Sequence, residues 1–259
     1  MATVTALDDV ARIEEALDAA RIALEPFTSG DIAVERKAGG DPLTEADLAV
    51  DRVLREILPR DGEGWLSEET ADDAGRLECE RVWIVDPIDG TREFVEGIPE
   101  WCVSIGLVEA GLPVAGGIMN PATAERIVGS TENGVVYAGE RPEQRATRLR
   151  DATVLASRSE VTRGEWEKFR NRGLKIVPMG SVAFKLGLVA AGRADATWTL
   201  VPKHEWDVAA GAALVIASGG FVMEPGRSHV LFNRPNPKLT GLVASRRHLR
   251  DEALAFLSA

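Results

Sequence analysis

The stretch of this chain best equipped for chemistry is Trp83-Ile84-Val85-Asp86-Pro87-Ile88-Asp89-Gly90-Thr91. Its apolar start reads as a buried strand that ends in two carboxylates three residues apart. Pro87 stiffens the turn, and Gly90 permits backbone angles closed to other residues. Thr91 opens a candidate helix through Phe94, and a helix N-terminus offers N–H groups to a phosphate. Two aspartates at the end of a strand could share a hard cation such as Mg²⁺, which prefers oxygen ligands. The plain alternative is an ordinary Asp-Gly turn.

Other carboxylates stand at suggestive places, each with an ordinary reading beside it. Ser67-Glu68-Glu69 follows a Gly-rich loop and could be a solvated turn. Thr44-Glu45-Ala46-Asp47 fits a capping box, in which Asp47 only caps a helix. Trp206-Asp207 opens a long apolar helix, and Asp is a common N-cap. The order Thr-x-x-Asp, Glu-Glu, Asp-Pro-Ile-Asp-Gly-Thr and Trp-Asp weakens these separate readings when it is taken as a whole.

The elements that must carry these residues are legible in outline. Apolar residues at helical spacing predict helices over 8–24, with Asp8 as cap, and 44–58, with Pro59 as stop. A loop or short strand fills 28–42. Strands are expected over 82–85, 103–108, 114–119 and, more weakly, 135–137. A polar segment at 139–150 marks the expected boundary between an α+β half (1–140) and an α/β half (141–259). In the second half, strands are expected over 153–156, 175–178, 195–200, 221–224 and 240–244. Helices are expected over 165–171, 181–191, 206–218 and 247–257.

Of 259 residues, 41 are Asp or Glu against 30 Lys or Arg, a net charge of −11. That balance excludes a nucleic-acid surface, which needs a basic stripe, and disfavours an anionic membrane. Cys79 and Cys102 make no disulfide framework or zinc cluster. No signal peptide or membrane span is visible, so the expected setting is cytoplasmic. Asp86 and Asp89 are too far apart for a haloacid-dehalogenase nucleophile pair. The EF-hand positions after Asp86 carry Ile88 and Gly97, and no Gly-Lys dipeptide exists for a P-loop. His204, His229 and His248 form no His-Glu-x-x-His motif.

The chain resembles the inositol monophosphatase superfamily of lithium-sensitive, Mg²⁺-dependent phosphatases. The resemblance rests on residues 41–47, on Ser67-Glu68-Glu69, on Trp83 through Phe94 and on Trp206-Asp207-Val208-Ala209-Ala210-Gly211, in family order and spacing. It implies a layered αβαβα sandwich, often dimeric. It also implies Glu68, Asp86 and the Ile88 carbonyl as ligands of a first ion, and Asp86, Asp89 and Asp207 as ligands of a second. By the same resemblance Asp47 and Thr91 activate a water, with Glu68 assisting through a third, weaker ion. The Gly90 and Thr91 N–H groups would hold phosphate, and Lys37 would stand near the ions. Mn²⁺ would substitute for Mg²⁺, and Li⁺ would inhibit. Paired metals can clamp both the attacking and the leaving oxygen of an in-line displacement.

The expected substrate is a small phosphorylated metabolite. Gly180-Ser181-Val182-Ala183 matches a family loop that contacts it, with Ser181 also a candidate N-cap. Inositol-specific members carry a glutamate shortly before the late Trp-Asp, where this chain has residues 195–200 and no glutamate. Asp89 through Phe94, Ser157-Arg158-Ser159 and residues 202–207 point instead to the 3′(2′),5′-bisphosphate nucleotidase branch. There Lys203 or Arg158 could face a second phosphate and Trp198 could stack on a base, although the ordinary reading of each alone is a surface lysine, a solvated arginine and a core tryptophan. Inositol monophosphatase, or a histidinol-phosphate or other sugar phosphatase, is the alternative. A non-catalytic phospholigand-binding module is the reading from another class.

Overall fold

The computed structural model describes residues 4–37, 42–139, 146–227 and 229–258. Asp41 and part of the expected boundary at 139–150 lie outside them. Helix α1 (Val4–Leu24) begins before Asp8, so Asp8 is not its cap and pairs with Arg60 instead. A two-strand ribbon, β1 (Glu35–Arg36) and β2 (Pro42–Leu43), leads to helix α2 (Glu45–Ile57). Thr44 closes the start of α2, its backbone N–H and hydroxyl donating to Asp47 Oδ2 at 2.8 and 2.6 Å.

Six strands then form one sheet in chain order: β3 (Gly64–Ser67), β4 (Arg81–Asp89), β5 (Cys102–Glu109), β6 (Leu112–Asn120), β7 (Glu125–Ser130) and β8 (Gly134–Ala138). β3 runs parallel to β4, and every later pair is antiparallel. The short helix α3 (Thr91–Val95) follows β4. β3 and β7 were not expected from the sequence. Their charged and glycine positions break the apolar alternation, and they exist because neighbouring strands pair with them.

The second half contributes β9 (Thr153–Ser157), α4 (Arg158–Thr162), α5 (Glu167–Arg170), β10 (Lys175–Met179), α6 (Val182–Ala190) and β11 (Ala196–Thr199). It continues with β12 (Lys203–His204), α7 (Ala209–Ala217), β13 (Phe221–Met223), β14 (Lys238–Leu239), β15 (Leu242–Ser245) and α8 (Arg250–Ser258). Five of these strands form a mixed sheet of order β10-β9-β11-β15-β13, while β12 and β14 pair separately.

Side-chain alternation dictates the layering. On β4, Trp83 and Val85 pack with α1 and α2 residues such as Ile13, Leu17 and Leu54. Val82 and Ile84 point the other way, into a core shared with Leu186 of α6, Leu214 of α7 and Leu155 of the second sheet. The outer face of that second sheet buries Trp198 and Val243 against Trp166, Phe169 and Ala253. The layers are therefore helix, sheet, helix, sheet, helix, as the resemblance implies. Among the described residues no helix is long and apolar enough to cross a membrane.

α7 lies unusually close to the first sheet. A Cβ on Gly106 would sit 2.7 Å from the Ala210 nitrogen, and one on Gly116 would sit 2.5 Å from the Ala210 oxygen. These glycines let the helix rest on bare strand backbone. Gly116→Ala is expected to lower stability by about 1–3 kcal/mol through overpacking, read as a lower urea midpoint. An unchanged midpoint would show that the helix can shift freely.

Glu224 ties the end of β13 to the following loop. It accepts from Arg234 Nη2 at 2.5 Å and from the Thr240 backbone N–H at 2.9 Å. Burial opposes its charge, but Arg234 and Thr240 outweigh that and hold its pKa down to about 2, from 4.5. A depressed folded-state pKa means the ionised carboxylate stabilises the fold above pH 4.5 and loses that effect as pH falls toward 2. The melting-temperature gap between the protein and Glu224→Gln is expected to be widest above that window and to shrink through it. A gap independent of pH would refute the linkage.

Candidate active site

β4 delivers its two aspartates through a break in the ladder. Asp86 pairs with Ser104 and Asp89 with Cys102, so three steps on β4 match two on β5. Residues three apart on a regular strand face opposite ways. The bulge at Pro87-Ile88 absorbs the odd step, and bulges commonly re-aim side chains beside active sites. Asp86 has the parity of Val82 and Ile84 and so faces the α6–α7 layer.

Carboxylate oxygens of Glu68, Asp86 and Asp207 lie within 4.8 Å of one another. Glu68 follows β3, the parallel neighbour of β4. Asp207 precedes α7, which its close seat on the sheet brings to β4. Asp207 does not cap that helix; its Oδ2 accepts the His204 backbone N–H at 3.0 Å. Burial raises the pKa of Asp86 well above the carboxylate range, and the charges of Glu68, Asp89 and Asp207 add to the rise. Burial likewise raises Asp207, with Asp89 and Glu68 next in weight. An all-oxygen donor set whose ionised form is repelled and desolvated fits a hard cation.

Asp89 is close enough to push on these groups but is held differently. Its Oδ2 accepts the Ser181 hydroxyl at 2.6 Å and the Ala183 N–H at 2.5 Å. Ser181 also accepts the Phe184 N–H at 3.0 Å, so it is both the N-cap of α6 and a contact of the site. The Ile88 carbonyl accepts from the Thr91 hydroxyl at 3.0 Å, and Asp47 Oδ1 lies 3.2 Å from the same hydroxyl. Asp47 therefore caps α2 and meets Thr91 at once. Burial raises its pKa, while Thr44, Lys37 and Thr91 oppose the rise. Gly90, at φ +101°, turns the chain into α3, where a Cβ would press on Glu100 and Trp101.

Lys37 Nζ bridges Glu68 and Glu69 at 2.6 Å each. Burial opposes its charge, but Glu68 and Glu69 raise its pKa overall. Lys37, Glu68, Asp86, Asp89, Thr91 and Asp207 line a cleft of about 500 Å³, together with Gly180, Arg158 and Lys203. Arg158 is engaged by the carboxylates of Glu100 and Glu93. Lys203 Nζ lies 3.8 Å from the buried Glu160, which also accepts from Trp166 Nε1 at 3.0 Å. Trp198 cannot stack on a substrate base. It is 1% exposed and lies face-to-face on Trp166 at 5.0 Å, behind the second sheet.

Two residues of the site went unread in the sequence. Asp51 accepts from the hydroxyls of Ser67 and Thr70 at 2.5 and 2.6 Å and so fixes the Glu68-Glu69 turn. It stands four residues after Asp47, on the same face of α2, which was a usable signal. Lys185 is 4% exposed and donates to the carbonyls of Met179, Gly180 and Ser181. Its signal was a lone charge inside the apolar run Val-Ala-Phe-Lys-Leu-Gly-Leu-Val-Ala.

The chain matches the inositol monophosphatase family over residues 6–257. It is 32% identical to inositol monophosphatase 2 of Solanum lycopersicum, covering 95% of this chain and 97% of that one. It is 35% identical to an inositol-1-monophosphatase of Mesorhizobium japonicum, over 75% of this chain and 76% of that one. The crystal structure of the extragenic suppressor protein suhB from Bartonella henselae superposes with a TM-score of 0.79 at 28% identity, over 95% of this chain and 97% of that one. With this fold and acidic cleft, the chain belongs to the inositol monophosphatase family of phosphoric monoester hydrolases.

Proposed function

We propose that the protein is a Mg²⁺-dependent phosphomonoesterase acting on inositol 1-phosphate or a closely related polyol phosphate. The observation that carries the reading is the Glu68–Asp86–Asp207 cluster beside the Asp47–Thr91 contact. Glu68, Asp86 and Asp207 would hold the cation, with Asp89 and the Ile88 carbonyl beside them. When bound, Mg²⁺ would offset the repulsion between these carboxylates and a phosphate dianion and make a water more acidic.

The chain's own groups do the rest. Thr91 Oγ1 accepts a proton from the attacking water as it passes its own to Asp47. Burial raises the Asp47 pKa and so favours its taking that proton. The N–H groups of Gly90 and Thr91 steady the phosphoryl oxygens, and the Gly180-Ser181 turn borders the leaving group. In this reading residues 1–140 supply Asp47, Glu68, Asp86, Asp89 and Thr91, and 141–259 supply Ser181 and Asp207. A homodimer, which rests on the family resemblance, belongs to the same proposal, as does the cytoplasmic setting expected from the sequence.

The inositol reading replaces the bisphosphate-nucleotide one as first choice. It draws support from the names of the curated relatives. The cations set aside for a second phosphate also have partners within the protein: Arg158 has Glu100 and Glu93, and Lys203 has Glu160 near it. The nucleotidase reading keeps one support, since both cations still border the cleft.

Phosphate release with Mg²⁺ should be fastest for inositol 1-phosphate in a panel with 3′-phosphoadenosine 5′-phosphate, histidinol phosphate and fructose 1,6-bisphosphate, and Li⁺ should inhibit it. Asp86→Asn should lose at least about a hundredfold in kcat, the scale expected for a ligand of a catalytic ion. Release from none of the four would favour a binding module. Near-normal turnover by Asp86→Asn would remove the metal assignment. Lys203→Ala should change KM for the monophosphate and the bisphosphate nucleotide alike; a rise for the bisphosphate alone would restore the nucleotidase reading.

A further inference from the structure

We infer that Lys185 is a positioning residue, whose ammonium holds the Gly180-Ser181 turn in the shape that fixes Asp89 for cation binding. The inference rests on the metal-phosphatase reading and names how one part of that site is assembled.

Ser181 has φ +50° and ψ 122°, a region that side-chain-bearing residues rarely adopt. Such a conformation persists only where the surroundings impose it. Here the carbonyls of three successive residues, Met179, Gly180 and Ser181, converge on Lys185 Nζ at 3.3, 3.0 and 2.6 Å. From the other side, Glu100 accepts the Gly180 N–H at 2.7 Å. A Cβ at residue 180 would meet the Glu93 side chain, whose flexible end would have to move aside. The consequence lies at Asp89, where the Ser181 hydroxyl and the Ala183 N–H both donate to Oδ2, so that among the described residues Oδ1 is the oxygen left to face a cation.

An ammonium has three protons, and all three are committed to the turn. Lys185 therefore has none left for a substrate phosphate, although it borders the cleft. Without the ammonium, the three inward carbonyls would each lose a donor, those of Gly180 and Ser181 in a buried place. The turn would then rotate to find others, and Asp89 would lose its two donors.

The rival explanation is that Lys185 is only a positive charge near the acidic cluster. The two explanations differ in sign. A bare charge repels a cation, so its removal should tighten Mg²⁺ binding, whereas loss of a positioning group should weaken it.

The test is Mg²⁺ titration calorimetry on the metal-stripped protein and on Lys185→Met, with circular dichroism to confirm folding. Lys185→Gln replaces Lys185→Met if the latter does not fold. The Mg²⁺ Kd is expected to rise about tenfold or more, the usual effect of removing a group that orients a ligand. In turnover of inositol 1-phosphate, kcat should fall by a similar factor with KM within about twofold. The double variant with Ser181→Ala should bind Mg²⁺ no worse than the weaker single one, since both act through one turn. Unchanged or tighter Mg²⁺ binding by a folded variant overturns the inference. If the wild-type protein gives no Mg²⁺ heat, the metal reading itself fails. If it binds Mg²⁺ but releases no phosphate, the catalytic reading fails and the calorimetric comparison still decides the role of Lys185.

Discussion

Four carboxylates brought together in one partly buried cleft repel one another, and the rest of this structure is arranged around that repulsion. At a separation of 4 Å, two like charges cost about 4 kcal/mol at an effective dielectric constant of 20. Glu68, Asp86 and Asp207 fall in that range of distance, and Asp89 adds its field. A chain left to itself would turn these groups out to solvent. They stay because each is fixed by an element with an independent reason to be where it is. Asp86 lies on a strand buried on both faces, Glu68 follows the neighbouring strand, and Asp207 precedes a helix pressed onto the same sheet.

The helix α7 shows how packing becomes chemistry. Its sequence Ala-Ala-Gly-Ala-Ala-Leu-Val-Ile-Ala is small-sided at the start, and it meets glycines on β5 and β6. Backbone lies against backbone, which only such residues permit. That contact sets how far Asp207 stands from Asp86. A single methyl group on Gly106 or Gly116 would be felt at the cluster, although neither residue is chemically active. The bulge in β4 works at the other end of the same problem. On a regular strand, with no bulge between them, Asp86 and Asp89 would point to opposite faces of the sheet.

This division explains what could be read in advance. The strand into Asp86, the α2 cap at Thr44 and the helix carrying α7 all follow from local periodicity and capping. The layered order also follows, once the family pattern is seen. Physics of the bare sequence did not bring Asp207 to Asp86, because more than a hundred residues separate them; only the resemblance paired them. β3 and β7 escaped notice because partners impose them on residues with little strand pattern of their own. Trp198 stood between two readings for a related reason, and the structure bears out the core one. An indole in a short apolar strand suits either a binding wall or a core, and only the stacked Trp166 decides. Lys185 was visible as an oddity but its role was not, since three consecutive carbonyls converging on one atom is a property of a turn.

The charge balance closes the account. The excess of acid over base belongs mostly to the surface, yet the cleft itself is zoned. Carboxylates gather around the ends of β3 and β4 and the start of α7. Lys37, Arg158, Lys203 and Lys185 stand about them, each already engaged with a carboxylate or a carbonyl. A phosphate entering this space meets cations whose charge is partly spent, so they alone would hold it weakly. On the proposed reading, the strong attraction would come from ions recruited by the acids. Affinity for phosphate and affinity for the metal would then be coupled, each raising the other by the same factor. Any residue that sets the geometry of the acids therefore governs substrate binding without touching the substrate.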